Sequence, residues 1–327
     1  MLAFILRRTA QAAVVMLAVA LIAFALFRYV GDPVTIMLGQ DATLEDRARL
    51  TRELGLDRTF IVQFAHFVAN AAQGNFGISY RLGRPVAALI AERLPATLEL
   101  SLLAAGFALL LGVPLGVYTA LRRDHWLARL VMAMSLIGAS LPTFLIGIFL
   151  ILIFAVRLAW LPSFGRGETI QIGWWTTGLL SLSGLKALIL PTITLGVIQL
   201  TLIMRLVRAE MLEVLRTDYI RFARARGLPD RAVHFGHALR NTLVPVITIV
   251  GLQLGAIIAF SIITESVFQW PGMGLLFIQA VNNADVPVMA AYLCLIALVF
   301  VVINLIVDLL YFVVDPRLRS AHTTEPA

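Results

Sequence analysis

One lysine and one cysteine are all that 327 residues hold of those two types, and each scarcity removes a class of chemistry. Lys186 follows Leu185 rather than a glycine, so a Gly-Lys phosphate-binding loop is excluded and this chain is not expected to hydrolyse ATP itself. Cys294 has no intrachain disulfide partner and reads as a small apolar packing residue. Neither a Gly-x-Ser-x-Gly nucleophile elbow nor a His-Glu-x-x-His zinc pair occurs. His234 and His237 are three apart and share a helical face, but with no cysteine or third histidine beside them they do not point to a metal site. Charge is scarce as well. Only 14% of residues are Asp, Glu, Lys or Arg, and a mean hydropathy of +0.91 lies far outside the soluble range.

What fills the space is apolar sequence in long blocks. Charge-free runs cover residues 9–27, 100–121, 130–156, 187–204, 241–264 and 286–307, with lengths of 19, 22, 27, 18, 24 and 22 residues. At about 1.5 Å per residue each spans roughly 30 Å of hydrocarbon as a helix, the one open structure that satisfies its own backbone there. Six transmembrane helices are expected. The first run is longer than a signal-peptide core and lacks a small-x-small cleavage site, so it is read as a retained span. A seventh window, 169–185, carries Gln171, three Thr, two Ser, three Gly and the pair Trp174 and Trp175. That composition suits the headgroup region, and the window is read as interfacial.

Arginine position then predicts orientation. With six spans and the amino terminus inside, fifteen of the 26 basic residues fall on short cytoplasmic segments, eight of them between Arg205 and Arg240, while 265–285 holds none. A seventh span would put the arginine-rich loop outside, against the positive-inside rule. The net charge of +7 therefore reports membrane orientation, and no folded nucleic-acid module accompanies it.

Between the runs, four regions are expected: a first span in 1–30, an external segment in 31–95, a five-helix core in 96–316 with a loop at 205–240, and a tail at 317–327. In the external segment, residues 44–54 have helical spacing with balanced charge, and Phe60, Phe64, Phe67, Val68 and Ala71 share one face of a second helix. This segment reads as a compact cap or as a solvated loop. In the basic loop, Met211, Leu215, Tyr219 and Phe222 recur at helical spacing as one apolar stripe. Gly227 suits a left-handed C-cap, Pro229 forbids continuation, and Asp230 opens a second helix that runs into the fifth span.

The chain resembles the permease subunits of ATP-binding-cassette importers of the peptide/nickel type, dipeptide-permease B branch. The matching blocks include Gly31-Asp32-Pro33, Leu54-Gly55-Leu56-Asp57, Gly74-Asn75-Phe76-Gly77, Arg93-Leu94-Pro95-Ala96-Thr97-Leu98-Glu99-Leu100, the stretch from Tyr219 to Gly227, Thr264-Glu265-Ser266-Val267-Phe268-Gln269-Trp270-Pro271-Gly272 and Asp315-Pro316-Arg317-Leu318-Arg319. The resemblance implies an all-α, polytopic protein of the type I importer permease fold in a bacterial inner membrane, with both termini cytoplasmic. It implies a coupling helix that seats in a cleft of a cytoplasmic ATPase, with Asp218, Tyr219, Arg221, Ala223, Arg224, Ala225, Gly227 and Leu228 as its residues. Small Ala223, Ala225 and Gly227 then keep bulk off the docking face. The sequence departs from the general loop motif at Arg221 and Phe222, where a glutamate and an alanine are usual, and its Leu-Pro element comes late, as Val244-Pro245.

Implied partners are a second related permease subunit, two ATPase subunits that carry the ATP and magnesium, an external solute-binding protein and membrane lipid. No cofactor is expected on this chain, and no nucleic acid. The solute implied is a di- or oligopeptide or a molecule of similar size. The alternative class is a secondary transporter driven by an ion gradient, which would favour proline- or glycine-broken spans in matching halves. Pro114 and Pro142 interrupt runs, but no matching halves are found. Glu99 and Asp308, near span ends, are read either as functional intramembrane acids or as carboxylates that snorkel or pair with an interfacial arginine.

Overall fold

The computed structural model describes residues 2–29, 34, 38, 43–53 and 57–314. The blocks at 31–33, 54–56 and 315–319, the tail 317–327 and the side chain of Asp308 lie outside the described residues. Helices dominate because the apolar runs leave the backbone no other partner in hydrocarbon. In chain order they are α1 (Leu2–Tyr29), α2 (Leu44–Glu53), α3 (Phe60–Ala72), α4 (Val86–Leu121), α5 (Trp126–Ser140), α6 (Thr143–Leu150), α7 (Leu182–Val214), α8 (Asp218–Ala225), α9 (Leu239–Val267), α10 (Met273–Asn282) and α11 (Val286–Val314). π-helical turns extend α6 through Ile151–Arg157 and lead into α9 through Ala232–Ala238. A hairpin pairs β1 (Ile170–Ile172) antiparallel with β2 (Trp175–Thr177).

Among the described residues, five helices are long and apolar enough to cross a membrane, and a sixth crossing exists if α5 and α6 count as one. The run at 130–156 is therefore not one straight helix: its two helices meet at a bend of 109°. Pro142 supplies the cause, since it lacks the N–H that would continue the ladder and its ring disfavours helical backbone before it. Pro114, by contrast, interrupts nothing, because α4 runs unbroken past it for 36 residues. The 169–185 window contains the hairpin and the first turn of α7, not a span.

The chain forms two compact units. The first comprises Met1–Thr97, Ile170–Thr177 and Pro271–Val301. In it Phe24 of α1 meets the expected aromatic face of α3, with ring centroids 5.2 Å from Phe60, 5.6 Å from Phe64 and 5.8 Å from Phe67. Thr43 caps α2 reciprocally: its Oγ1 accepts from the Asp46 N–H at 3.2 Å and donates to the Asp46 carboxylate at 2.6 Å. Val86, Leu89, Met273, Leu276, Met289 and Tyr292 form the core between α4, α10 and α11. Cys294 is buried beside Ala23 and Ala290, a packing residue as its composition suggested.

The second unit comprises Leu98–Thr169, Gly178–Trp270 and Val302–Ala327. Here α7 is the central helix, packed by α5, α6 and α9. Small residues set the helix spacing. A methyl group at Gly116 of α4 would lie 2.7 Å from the Met204 carbonyl oxygen and from Val207 Cβ on α7. Helices approach this closely only where a side chain is missing, the usual device where lipid removes the hydrophobic drive for association.

Candidate functional site

The loop 205–240 is built on the core of the second unit. Met211 ends the buried stripe of α7, and Val207, Met211, Ile220, Ala223, Val233 and Ala238 form one cluster with Val117 and Ala120 of α4. The helix then breaks. Thr217 stands in extended backbone before α8, its Oγ1 donating to the Val214 carbonyl at 2.6 Å. Met211, Leu215, Tyr219 and Phe222 therefore do not form one stripe on one helix, as their spacing suggested. The buried face of α8 is Ile220 and Ala223, whereas Tyr219 is 41% and Phe222 64% exposed.

Each residue expected in the coupling helix can now be placed. Asp218 opens α8, where a carboxylate complements the helix dipole, and accepts from Arg221 at 3.2 Å on the exposed surface. The Tyr219 hydroxyl accepts from Asn241 Nδ2 at 2.6 Å, tying α8 to the start of α9. Arg224 and Ala225 are exposed in the last turn, and the Arg226 guanidinium lies 5.8 Å from the centroid of the Phe222 ring. Ala223 is 7% exposed, so the low-bulk docking face expected of Ala223, Ala225 and Gly227 does not exist as one face. Ala223 supports the helix from behind, and its outward surface is aromatic and cationic.

Gly227 ends α8 as its sequence context predicts. Its φ is +76°, its N–H donates to the Arg224 carbonyl at 2.9 Å, and the Leu228 N–H donates to the Ala223 carbonyl at 3.4 Å. Those two bonds with a left-handed residue between them are a Schellman C-cap. The Pro229 carbonyl then accepts from Ala232 and Val233 at 2.9 and 3.1 Å to start the next helix. The product is a short helix fixed on one face, closed by a defined bend and presented on the other.

Two polar anchors have partners that sequence reasoning did not name. In the second unit the Glu99 carboxylate pairs with Arg166, both buried, and accepts from the Gly178 N–H at 3.2 Å. The Arg166 guanidinium also lies 5.9 Å from the Trp270 ring centroid. Of the two readings open for Glu99, pairing with an arginine is the one realised. In the first unit, Asp285 stands just before α11 and accepts from the Ser79 hydroxyl, from the Tyr80 N–H at 3.1 Å and from the Arg81 N–H at 3.4 Å. Burial pushes the Tyr80 phenol above its ordinary value, and the Asp285 carboxylate adds to the effect. No sequence pattern links residue 79 to residue 285. Among the described residues no group of three or more His, Cys, Asp and Glu is placed to hold a metal ion.

Comparison with known proteins agrees with this architecture. Residues 112–320 match the family described as binding-protein-dependent transport system inner membrane component, and residues 1–101 match the N-terminal family of the same systems. The di/tripeptide transport system permease protein DppB of Pseudomonas aeruginosa is 41% identical over 333 residues, covering 98% of this chain and 99% of that protein. The dipeptide transport system permease protein DppB of Alkalihalophilus pseudofirmus is 38% identical over 332 residues, covering 98% and 100%. The glutathione transport system permease protein GsiC of Shigella flexneri is 38% identical over 289 residues, covering 88% and 89%. Among solved structures, an inward-facing conformation of the MetNI methionine ABC transporter superposes with a TM-score of 0.56 at 21% identity, covering 69% of this chain and 96% of that one, a likeness of fold. The chain therefore belongs to the family of binding-protein-dependent transport system inner membrane components: it is a multi-pass, all-α permease subunit of an ATP-binding-cassette importer, neither an enzyme nor an ion-gradient carrier.

Proposed function

We propose that this permease lines half of a pathway for di- or oligopeptides, or solutes of similar size, and that α8 is where separate ATPase subunits act on it. The observation that carries the coupling role is the two-sided build of α8: Ile220 and Ala223 are buried while Phe222 and Tyr219 face outward beside Arg224. A helix anchored in this way transmits a push, because displacing it displaces the core formed with α4 and α7. The peptide class is supported by the relatives, whose names record di- and tripeptide transport.

In this reading the loop 205–240 and both termini are cytoplasmic, as the arginine distribution favours. Two ATPase subunits carry ATP and magnesium, none residing on this chain. A second related permease completes the pathway, and a solute-binding protein docks on the external side. Closure of the ATPases draws the coupling helices together, and the spans rock between inward- and outward-open states.

Single-cysteine variants on a Cys294→Ala background test both parts. Arg226→Cys should be labelled only from the cytoplasm and Asn75→Cys only from outside, while Phe222→Cys should cross-link to an ATPase subunit. Labelling of both positions from one side would refute the orientation. Cross-linking of Phe222→Cys to anything but the ATPase would refute the coupling role.

A further inference from the structure

Three arginines from different elements of the second unit share one cavity. Arg123 follows α4, Arg129 lies in the first turns of α5, and Arg208 lies on α7; all three line one cavity of about 290 Å³. That volume is roughly ten times the ~30 Å³ share of a liquid water. Arg208 is held in place by donating its Nε–H to the buried Thr119 carbonyl at 3.4 Å. Among the described residues no carboxylate lines the cavity. Asp124 reaches Arg123 from the rim at 3.5 Å with its own side chain 85% exposed, a weak and screened competitor.

The start of α5 adds to the imbalance. Its first turn contains no acidic residue, although that end of a helix carries partial positive charge and ordinarily attracts a carboxylate. Arg129 therefore stands against the helix dipole as well as beside two other cations. An arrangement of this kind is relieved by an anion that accepts several N–H bonds at once, and guanidiniums suit the oxygens of a phosphate. The rest of the cavity says where the phosphate comes from. Met132, Ala133 and Leu136 line it at successive turns of α5, and Leu136 is 53% exposed. The cavity thus joins a cationic pocket to an apolar strip on a helix apolar enough to lie in hydrocarbon.

We propose that this cavity binds the phosphate of an anionic phospholipid, with Arg123, Arg129 and Arg208 on the headgroup and an acyl chain along Met132, Ala133 and Leu136. The lipid bridges α4, α5 and α7. Neither the permease assignment nor the peptide specificity enters this argument, and the binding measurement below does not depend on them.

The test is native mass spectrometry of the detergent-purified full chain titrated with phosphatidylglycerol or phosphatidylcholine. The wild type should retain phosphatidylglycerol preferentially. The triple variant Arg123→Gln, Arg129→Gln, Arg208→Gln should lose that preference by about a hundredfold, taking roughly fivefold per arginine near an anionic headgroup. The charge-matched control Arg216→Gln, Arg226→Gln, Arg231→Gln should stay within about twofold, since the effect is local. If the triple variant does not purify as a single species, Arg129→Gln alone should show about a fivefold loss, and Arg129→Lys a smaller one. Equal retention of both lipids, equal loss in both triple variants, or displacement of bound lipid by inorganic phosphate would each overturn the proposal, the last by assigning the site to a soluble anion.

Discussion

The Glu99 carboxylate and the Arg166 guanidinium, 67 positions apart, are ion-paired out of reach of solvent. A pair this deep depends on both members. Arg166→Met leaves a buried carboxylate without its cation, a change that costs about 3–5 kcal/mol. The thermal midpoint of the purified protein should fall by several degrees. Adding Glu99→Gln should restore much of it, because the double variant no longer buries a charge. A single variant as stable as wild type would show that the pair is incidental.

Gly227→Val tests the bend after α8. Nothing lies within 4 Å of where its Cβ would go, so the only cost is backbone, about 1–2 kcal/mol for a β-branched residue forced to positive φ. Solute uptake should drop sharply while membrane insertion and spans stay intact. Arg224→Ala is the contrast: if that arginine only contributes to topology, the remaining inside charges compensate and uptake survives. Unchanged uptake in Gly227→Val would remove the bend from the transmission path.

The two faces of α8 should separate stability from coupling. Ile220→Ala opens a cavity in the core of the second unit and should destabilise by about 2–5 kcal/mol. Phe222→Ala, already 64% exposed, should leave the thermal midpoint unchanged while ATPase co-purification falls. If both variants affected only stability, the outward face would not be a docking surface.

Gly116→Ala should separate α4 from α7, since its methyl group meets Met204 and Val207 at 2.7 Å. Overpacking of this kind costs about 1–3 kcal/mol. Gly106→Ala, on the same helix with nothing within 4 Å, should instead be neutral or slightly stabilising. Thermal midpoints of the two variants side by side check the contrast.

Much of this architecture is legible in the amino-acid order because it depends on local rules. Charge-free length locates the spans, aromatic spacing locates α3, and a glycine before a proline locates the end of α8. Local rules also misled. The spacing from Met211 to Phe222 is helical, yet the turn at residues 215–217 rotates α8 relative to α7, so Ile220 and Ala223 bury and Phe222 does not. Nor does spacing disclose the anchors of Glu99 and Asp285, whose partners arrive from segments 67 and about 200 residues away through the folded chain. The 27-residue run at 130–156 shows the reverse case: hydropathy saw one object where a single proline makes two.

That proline has a counting consequence. A bent helix pair that crosses the bilayer reverses the side on which the chain continues, and a pair that turns back does not. The arginine-rich loop and the amino terminus share a side only if the pair between α4 and α7 contributes an odd crossing. The 109° break at residues 141–142 is thus the point at which the parity of the whole chain is decided, and with it the sidedness of every later loop.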